Sequence, residues 1–280
     1  MVAYVKRQPR LFVLDHGAMR MDKNWLVSVH NPATVENPHV KAEFIDIPIY
    51  SVLVDHPDGK ILFDASCNPN SMGEHGRWPM SQQKLFPWAA TEACYLPNRL
   101  EQLNISPSDI RYVVASHLHC DHAGCLELFK NATIIVHEDE LNAALQSYLC
   151  RNDESFVWAD IDAWVQSHLN WRLVRRDEPV LPLLDGIRVL NFGSGHSYGM
   201  LGMQVNLPET GSILLASDAV YSSDTYDGVA VPGAVYDTVG YRATVRRIQS
   251  IARDTNAIVW CGHDNQQYQL LRKSDVGYYE

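Results

Sequence analysis

At 280 residues with a net charge of −10 at neutral pH, the chain can bury a full core unaided. Its acidity disfavours a nucleic-acid backbone as partner, because phosphate binding needs clustered Lys and Arg, and pairs such as Arg175-Arg176 form no stripe. No apolar stretch approaches the roughly 20 residues of a membrane span, so neither a membrane nor a nucleic acid is expected as partner.

The N-terminal segment MVAYVKRQPRLFVLDHG is interrupted by charges and Pro9 where an export signal would need continuous apolar residues. A cytoplasmic protein is therefore expected, and the length of residues 1–280 fits one sizeable domain or two tightly fused halves. Its six scattered cysteines read as free thiols. In FIDIPIYSVLVDHPDGKILFDAS, two apolar runs joined by Pro57-Asp58-Gly59 predict a β-hairpin. Residues 67–98 are irregular until LPNRLEQLNI, which has the period of a short helix and precedes a turn at SPSDI.

IRYVVASH and ATIIVHE are short, β-branched strands, and AGCLELF between them has helical spacing. EDELNAALQSYL and DIDAWVQSHL read as helices. GIRVLNF, LGMQVNL, GSILLASDA and AIVWCGHD form a second strand series, with a helix over YRATVRRIQSIARDT before the last. Residues 219–240 are a second long irregular stretch, and loops of that length in a compact domain are often functional. Two strand-rich halves, each followed by helices, predict an α/β fold: a four-layer αβ/βα sandwich of two packed sheets with helices outside.

SHLHCDHAG, at 116–124, crowds metal-capable side chains where an apolar strand ends. His117 and His119 share a face in an extended segment, and Asp121 shares their parity. His122 needs the chain to turn, which Ala123-Gly124 permits. One segment can then serve two metals about 3.5–4 Å apart, the spacing of hydrolytic two-metal sites. Imidazole and carboxylate donors without thiolate suit Zn, Mn, Fe or Co rather than a closed structural zinc, and Cys120 reads as packing. His196 follows the strand IRVLNF among glycines, Asp218 ends SILLASD, and His263 ends AIVWCGH. Each alone is an ordinary loop residue; together they mark strand ends at one sheet edge.

In this order HLHCDH, His196, Asp218 and the GHD at His263 resemble the metallo-β-lactamase superfamily, over nearly the whole chain. Within it, SHLHCDHAG, the tyrosine in SDAVY, GRWP and DTVGYRATVRRI are similar to the quorum-quenching N-acyl-homoserine lactonases. The resemblance implies two mixed sheets and two divalent ions, zinc foremost. His117, His119 and His196 would hold the first ion, Asp121, His122 and His263 the second, and Asp218 would bridge them. It also implies hydrolysis of a lactone ring by a metal-bridging hydroxide, with Tyr221 steadying the oxyanion and Asp121 passing a proton to the leaving alkoxide.

The partner is a small-molecule lactone, and the chain acts as a monomer or homodimer. Met19, Met21, Trp25, Met72, Trp78, Phe86 and Trp88 stand in irregular regions as candidate groove residues, against the plainer reading of ordinary core. The seven ligands specify hydrolysis but not the bond. A related lactonase, thioesterase or phosphotriesterase, or a catalytically silent metal binder, remain alternatives. GSGHSYG misses the dinucleotide-loop spacing, and no serine-nucleophile elbow occurs.

Overall fold

In the computed structural model, which describes residues 8–152, 155–228 and 230–280, period-two apolar patterning sorts the strands into two sheets. The first holds β1 (Arg10–Asp22), β2 (Phe44–His56), β3 (Gly59–Phe63), β4 (Trp88–Ala89), β5 (Ile110–Val114), β6 (Thr133–His137) and β7 (Asn170–Val174), in the order β4-β1-β2-β3-β5-β6-β7. The second holds β8 (Val180–Leu184), β9 (Ile187–Gly193), β10 (Met200–Leu207), β11 (Gly211–Ser217) and β12 (Ile258–Cys261), in the order β12-β11-β10-β9-β8. Both sheets are mixed: β3, β5, β6 and β7 pair in parallel, as do β11 and β12, while the other neighbours are antiparallel.

Helices α1 (Lys23–Leu26), α2 (Met80–Leu85), α3 (Leu96–Gln102), α4 (Cys120–Ala123), α5 (Glu138–Cys150), α6 (Trp158–Gln166), α7 (Ser223–Tyr226), α8 (Thr238–Thr255) and α9 (Asn265–Leu270) complete it.

The alternation of single strands builds the layers. Val52 and Val54 face Val189, Leu201, Met203 and Leu215 in the inter-sheet core, while Leu53 between them faces outward. Val114 and Ile135 likewise point inward, and Val113, Ile134 and Val136 pack under α3, α5 and α6 with Leu100, Leu141 and Trp164. On the far side Leu190, Phe192 and Leu214 meet Tyr241, Val245 and Ile248 of α8. That helix starts at Asp237, whose side chain accepts from Gly240 N, and ends at Asn256 in the left-handed region, two local stop signals that agree with its amphipathic period. The αβ/βα sandwich is the expected one.

The hairpin over residues 44–63 and the helices of residues 96–102, 138–150, 158–166 and 238–255 fall where the periodicity places them. Four strands do not appear in the sequence reading, the two-residue β4 being too short to show a period. In β1 the pairing register slips between Asp15 and Ala18, where Gly17 takes a φ of +80°, and this break hides the alternation. Arg172 interrupts β7, and Pro182 interrupts β8, an edge strand where proline is tolerated. AGCLELF forms only the end of α4 and one 3-10 turn at Leu126–Leu128. Residues 1–7, which carry part of the reading against an export signal, lie outside the described residues, as does Val229 in the second irregular stretch. Among the described residues no helix is long and apolar enough to cross a membrane, and the six cysteines are free.

Candidate metal centre

β9, β11 and β12 run in one direction, so the segments that leave them emerge at the same edge, where the segment after β5 also arrives. That edge gathers all seven expected ligands, and all are buried except His119, which is half-buried. His117 Nε2 lies 3.1 Å from His119 Nδ1, and His196 Nε2 lies 2.9 Å from the same atom. Asp121 Oδ2 stands 3.3 Å from His122 Nε2 and 3.5 Å from His263 Nε2. Asp218 divides its carboxylate between these trios. Its Oδ2 is 3.4 Å from His196 Nε2 and 3.9 Å from His117 Nε2, while its Oδ1 is 3.1 Å from His263 Nε2 and 3.4 Å from His122 Nε2.

The parity argument holds for His117 and His119 but not for Asp121. The chain turns into α4 at Cys120, so Asp121 and His122 both project from a helical turn rather than an extended strand.

The outer ring nitrogens fix which atoms face inward. His196 Nδ1 donates to the Ala234 carbonyl at 2.9 Å, His263 Nδ1 to the Pro48 carbonyl at 3.0 Å, and His122 Nδ1 to Asp64 Oδ2 at 2.9 Å. Their Nε2 atoms therefore converge with the carboxylate oxygens of Asp121 and Asp218 on one space. His122 Nε2 and Asp218 Oδ1 are buried without a hydrogen-bond partner. A divalent cation satisfies such unpartnered atoms, and the His/Asp groups with ligand atoms within 4.8 Å of one another are metal-binding in type.

The electrostatics agree. Burial holds His117 well below the ordinary imidazole value, takes His119 down to about 3, and lowers His196, so the first trio is neutral. Burial also opposes charge on His122, yet the carboxylates of Asp121, Asp218 and Asp64 outweigh it and push that ring well above 6.5. His263 rises for the same reason, beside Asp218 and Asp121. Burial likewise opposes ionisation of Asp121 and Asp218, but His122 and His263 prevail, taking Asp121 down to about 2 and Asp218 well below the usual range. The second trio attracts positive charge.

Two buried carboxylates behind the ligands escape the sequence reading. Asp64, just past β3, accepts from Ser116 N at 2.7 Å, Ser116 Oγ at 3.0 Å and Ser217 Oγ at 3.1 Å besides His122. It carries the same signature as Asp218, an acid closing an apolar strand, and could have been found by it. Glu140, in the first turn of α5, accepts from Leu118 N at 2.9 Å, Ser197 Oγ at 2.8 Å and Gly199 N at 3.0 Å, tying the His117–His119 loop to the His196 loop. In sequence it is one of three consecutive acids, Glu138 to Glu140, and nothing there singles it out.

Tyr221 Oη lies 3.5 Å from His196 Nε2. Burial and the nearby Asp218 hold its pKa well above 10, so it keeps its proton. A cavity of about 340 Å³ opens over the cluster, lined by Asp121, Asp218 and Tyr221 together with an apolar set that includes Met19, Met21, Trp25 and Phe86. Trp25 and Phe86 meet edge to face at 5.3 Å. Of the candidate groove residues, Met72, Trp78 and Trp88 do not line it; they pack in or against the small core beside it. Met19 and Met21 belong to β1 rather than to an irregular region.

A family model described as the metallo-beta-lactamase superfamily matches residues 45–263. The chain is 42% identical to the N-acyl homoserine lactonase AiiB of Agrobacterium fabrum (strain C58 / ATCC 33970), over 97% of this chain and 99% of that one. It is 26% identical to the N-acyl homoserine lactonase of Bacillus thuringiensis, over 94% and 96%. A crystal structure of B. thuringiensis AiiA with N-decanoyl-L-homoserine at its active site superposes with a TM-score of 0.81 at 25% identity, covering 97% of this chain and 99% of that one.

Proposed function

Because the chain belongs to the metallo-beta-lactamase superfamily, we propose that it is a metal-dependent hydrolase that opens the lactone ring of N-acyl homoserine lactones. The observation that carries this reading is the division of Asp218, one oxygen toward each histidine trio, in a chain 42% identical to an N-acyl homoserine lactonase. His117, His119 and His196 would hold one divalent ion, Asp121, His122 and His263 the other, with Asp218 offering an oxygen to each trio. Zinc is the foremost candidate, with Mn, Fe or Co compatible with the donors. Such a pair, when bound, supplies Lewis acidity and lowers the pKa of water.

The chain's own residues do the rest. Tyr221 keeps its proton and donates a hydrogen bond to the lactone carbonyl oxygen as that oxygen gains charge. Water attacks the carbonyl carbon, the ring C–O bond breaks, and the ring oxygen leaves as an alkoxide that needs a proton. Asp121 is ionised at rest, so it takes a proton from the attacking water and hands it to that oxygen. The apolar wall of Met19, Met21, Trp25 and Phe86 receives the acyl tail.

The same reading takes residues 1–280 as one catalytic domain, acting in the cytoplasm as a monomer or homodimer on a small-molecule lactone. An inter-sheet core drawn from both halves of the chain supports the single domain. Ring opening releases acid, so a pH-indicator assay on N-hexanoyl homoserine lactone, a glutathione thioester and paraoxon tests the assignment. Fastest turnover on the acyl lactone is expected; preference for the thioester or phosphotriester would overturn it.

A further inference from the structure

The apolar wall of the cavity carries one amide. Gln82 of α2 donates from Nε2 to Cys120 Sγ at 3.0 Å, and its Oε1 is covered and has no partner. Its neighbour Gln83 is saturated: Nε2 donates to the Gly73 and Trp78 carbonyls, and Oε1 accepts from Gly73 N. One glutamine builds the fold. The other spends its donor on a thiol, a weak acceptor, and leaves its oxygen orphaned at a standing cost.

We infer that Gln82 is the residue that reads the substrate's amide, an assignment that rests on the lactonase reading above. In an N-acyl homoserine lactone the amide nitrogen is bonded to the ring carbon next to the reacting carbonyl. With that carbonyl at the His/Asp cluster, the N–H lies against the wall beside the ligands. Cys120 sits between His119 and Asp121, and Gln82 touches Cys120. Torsions ending on an amide are broad, so a turn about the last side-chain bond of Gln82 exchanges Oε1 and Nε2, presents the oxygen to the substrate N–H from the side that now faces Cys120, and replaces the weak contact to sulfur. A plain alkyl lactone has no N–H to offer and leaves the oxygen unpaired. A site built to hydrogen-bond an N–H rejects the analogue that lacks it.

The test compares kcat/KM for N-hexanoyl homoserine lactone and for γ-decalactone, which has an alkyl tail but no amide, in the metal-loaded parent and in Gln82→Met and Gln82→Leu. The ratio of the two rates cancels any damage to the metal centre that both substrates feel. Loss of one neutral hydrogen bond lowers that ratio by roughly three- to tenfold in both variants, and calorimetric binding of the opened product N-hexanoyl-homoserine weakens by a similar factor. A ratio equal to the parent's, whether both rates fall together or neither falls, overturns the role of Gln82 and leaves the lactonase reading standing. A parent that opens neither lactone overturns both.

Discussion

Asp218 is held from behind by the absence of a side chain. A Cβ on Gly262 would meet Asp218 Oδ1 at 2.3 Å and the Ser217 carbonyl carbon at 2.8 Å, so only glycine lets the strand end after β12 pass beside the shared carboxylate. His117→Ala or Asp218→Ala should remove metal and turnover together, which elemental analysis alongside kcat will check; full turnover with either variant would refute the ligand assignment. Tyr221→Phe keeps every candidate ligand and removes one donor to the developing oxyanion, so kcat should fall about a hundred- to a thousandfold with metal content unchanged. Loss of metal in that variant would instead make Tyr221 a prop. All seven candidate ligands were named from the sequence, Asp218 and His263 because a polar residue closes a strand built to be buried, the others from the spacing of SHLHCDHAG, the glycines around His196 and the family resemblance. Gln82 and Glu140 violate no rule that one dimension displays, since Glu140 differs from Glu138 by its burial and Gln82 from Gln83 by its partnerless oxygen.

At the scale of elements, the site depends on α5 as much as on the strands that carry its ligands. Glu140 collects backbone N–H groups from two ligand-bearing loops, and burial raises its pKa to about 7. Glu140→Ala leaves those donors and Ser197 without an acceptor, at a cost of about 1–3 kcal/mol for each unsatisfied group. Metal affinity should weaken about ten- to a hundredfold, as for other partners behind a ligand; chelator competition and thermal melts measure both. Unchanged affinity would mean that the two loops hold their own shape. The strands legible in sequence are those buried on both faces, where apolar runs are continuous. β1, β7 and β8 were missed because a bulge at His16-Gly17, a charge at Arg172 and a proline at Pro182 break the pattern that pairing partners restore in three dimensions.

For the molecule as a whole, acid should act partly through a residue far from the chemistry. His16 lies fully buried between Ser51 Oγ at 2.7 Å and the Cys94 carbonyl at 2.7 Å, and burial takes its pKa from 6.5 down to about 4. The unfolded chain therefore binds this proton first. Stability from this group is complete above pH 6.5 and is lost as pH falls toward 4, by up to about 3 kcal/mol. Urea unfolding of the parent and of His16→Asn across that window should show a flatter slope in the variant; parallel slopes would assign the acid sensitivity elsewhere. Chelation should lower the melting temperature, since ions bound only by the folded state stabilise it by mass action.

His263 follows the second sheet, yet its ring hangs on the carbonyl of Pro48 in the first. Cutting the polypeptide between β7 and β8 would thus yield two fragments that each own some of the ligands, and the one that owns His263 would lose the carbonyl that aims it. Such pieces would have to reassemble before capturing an ion, which makes metal uptake a reporter of their reunion.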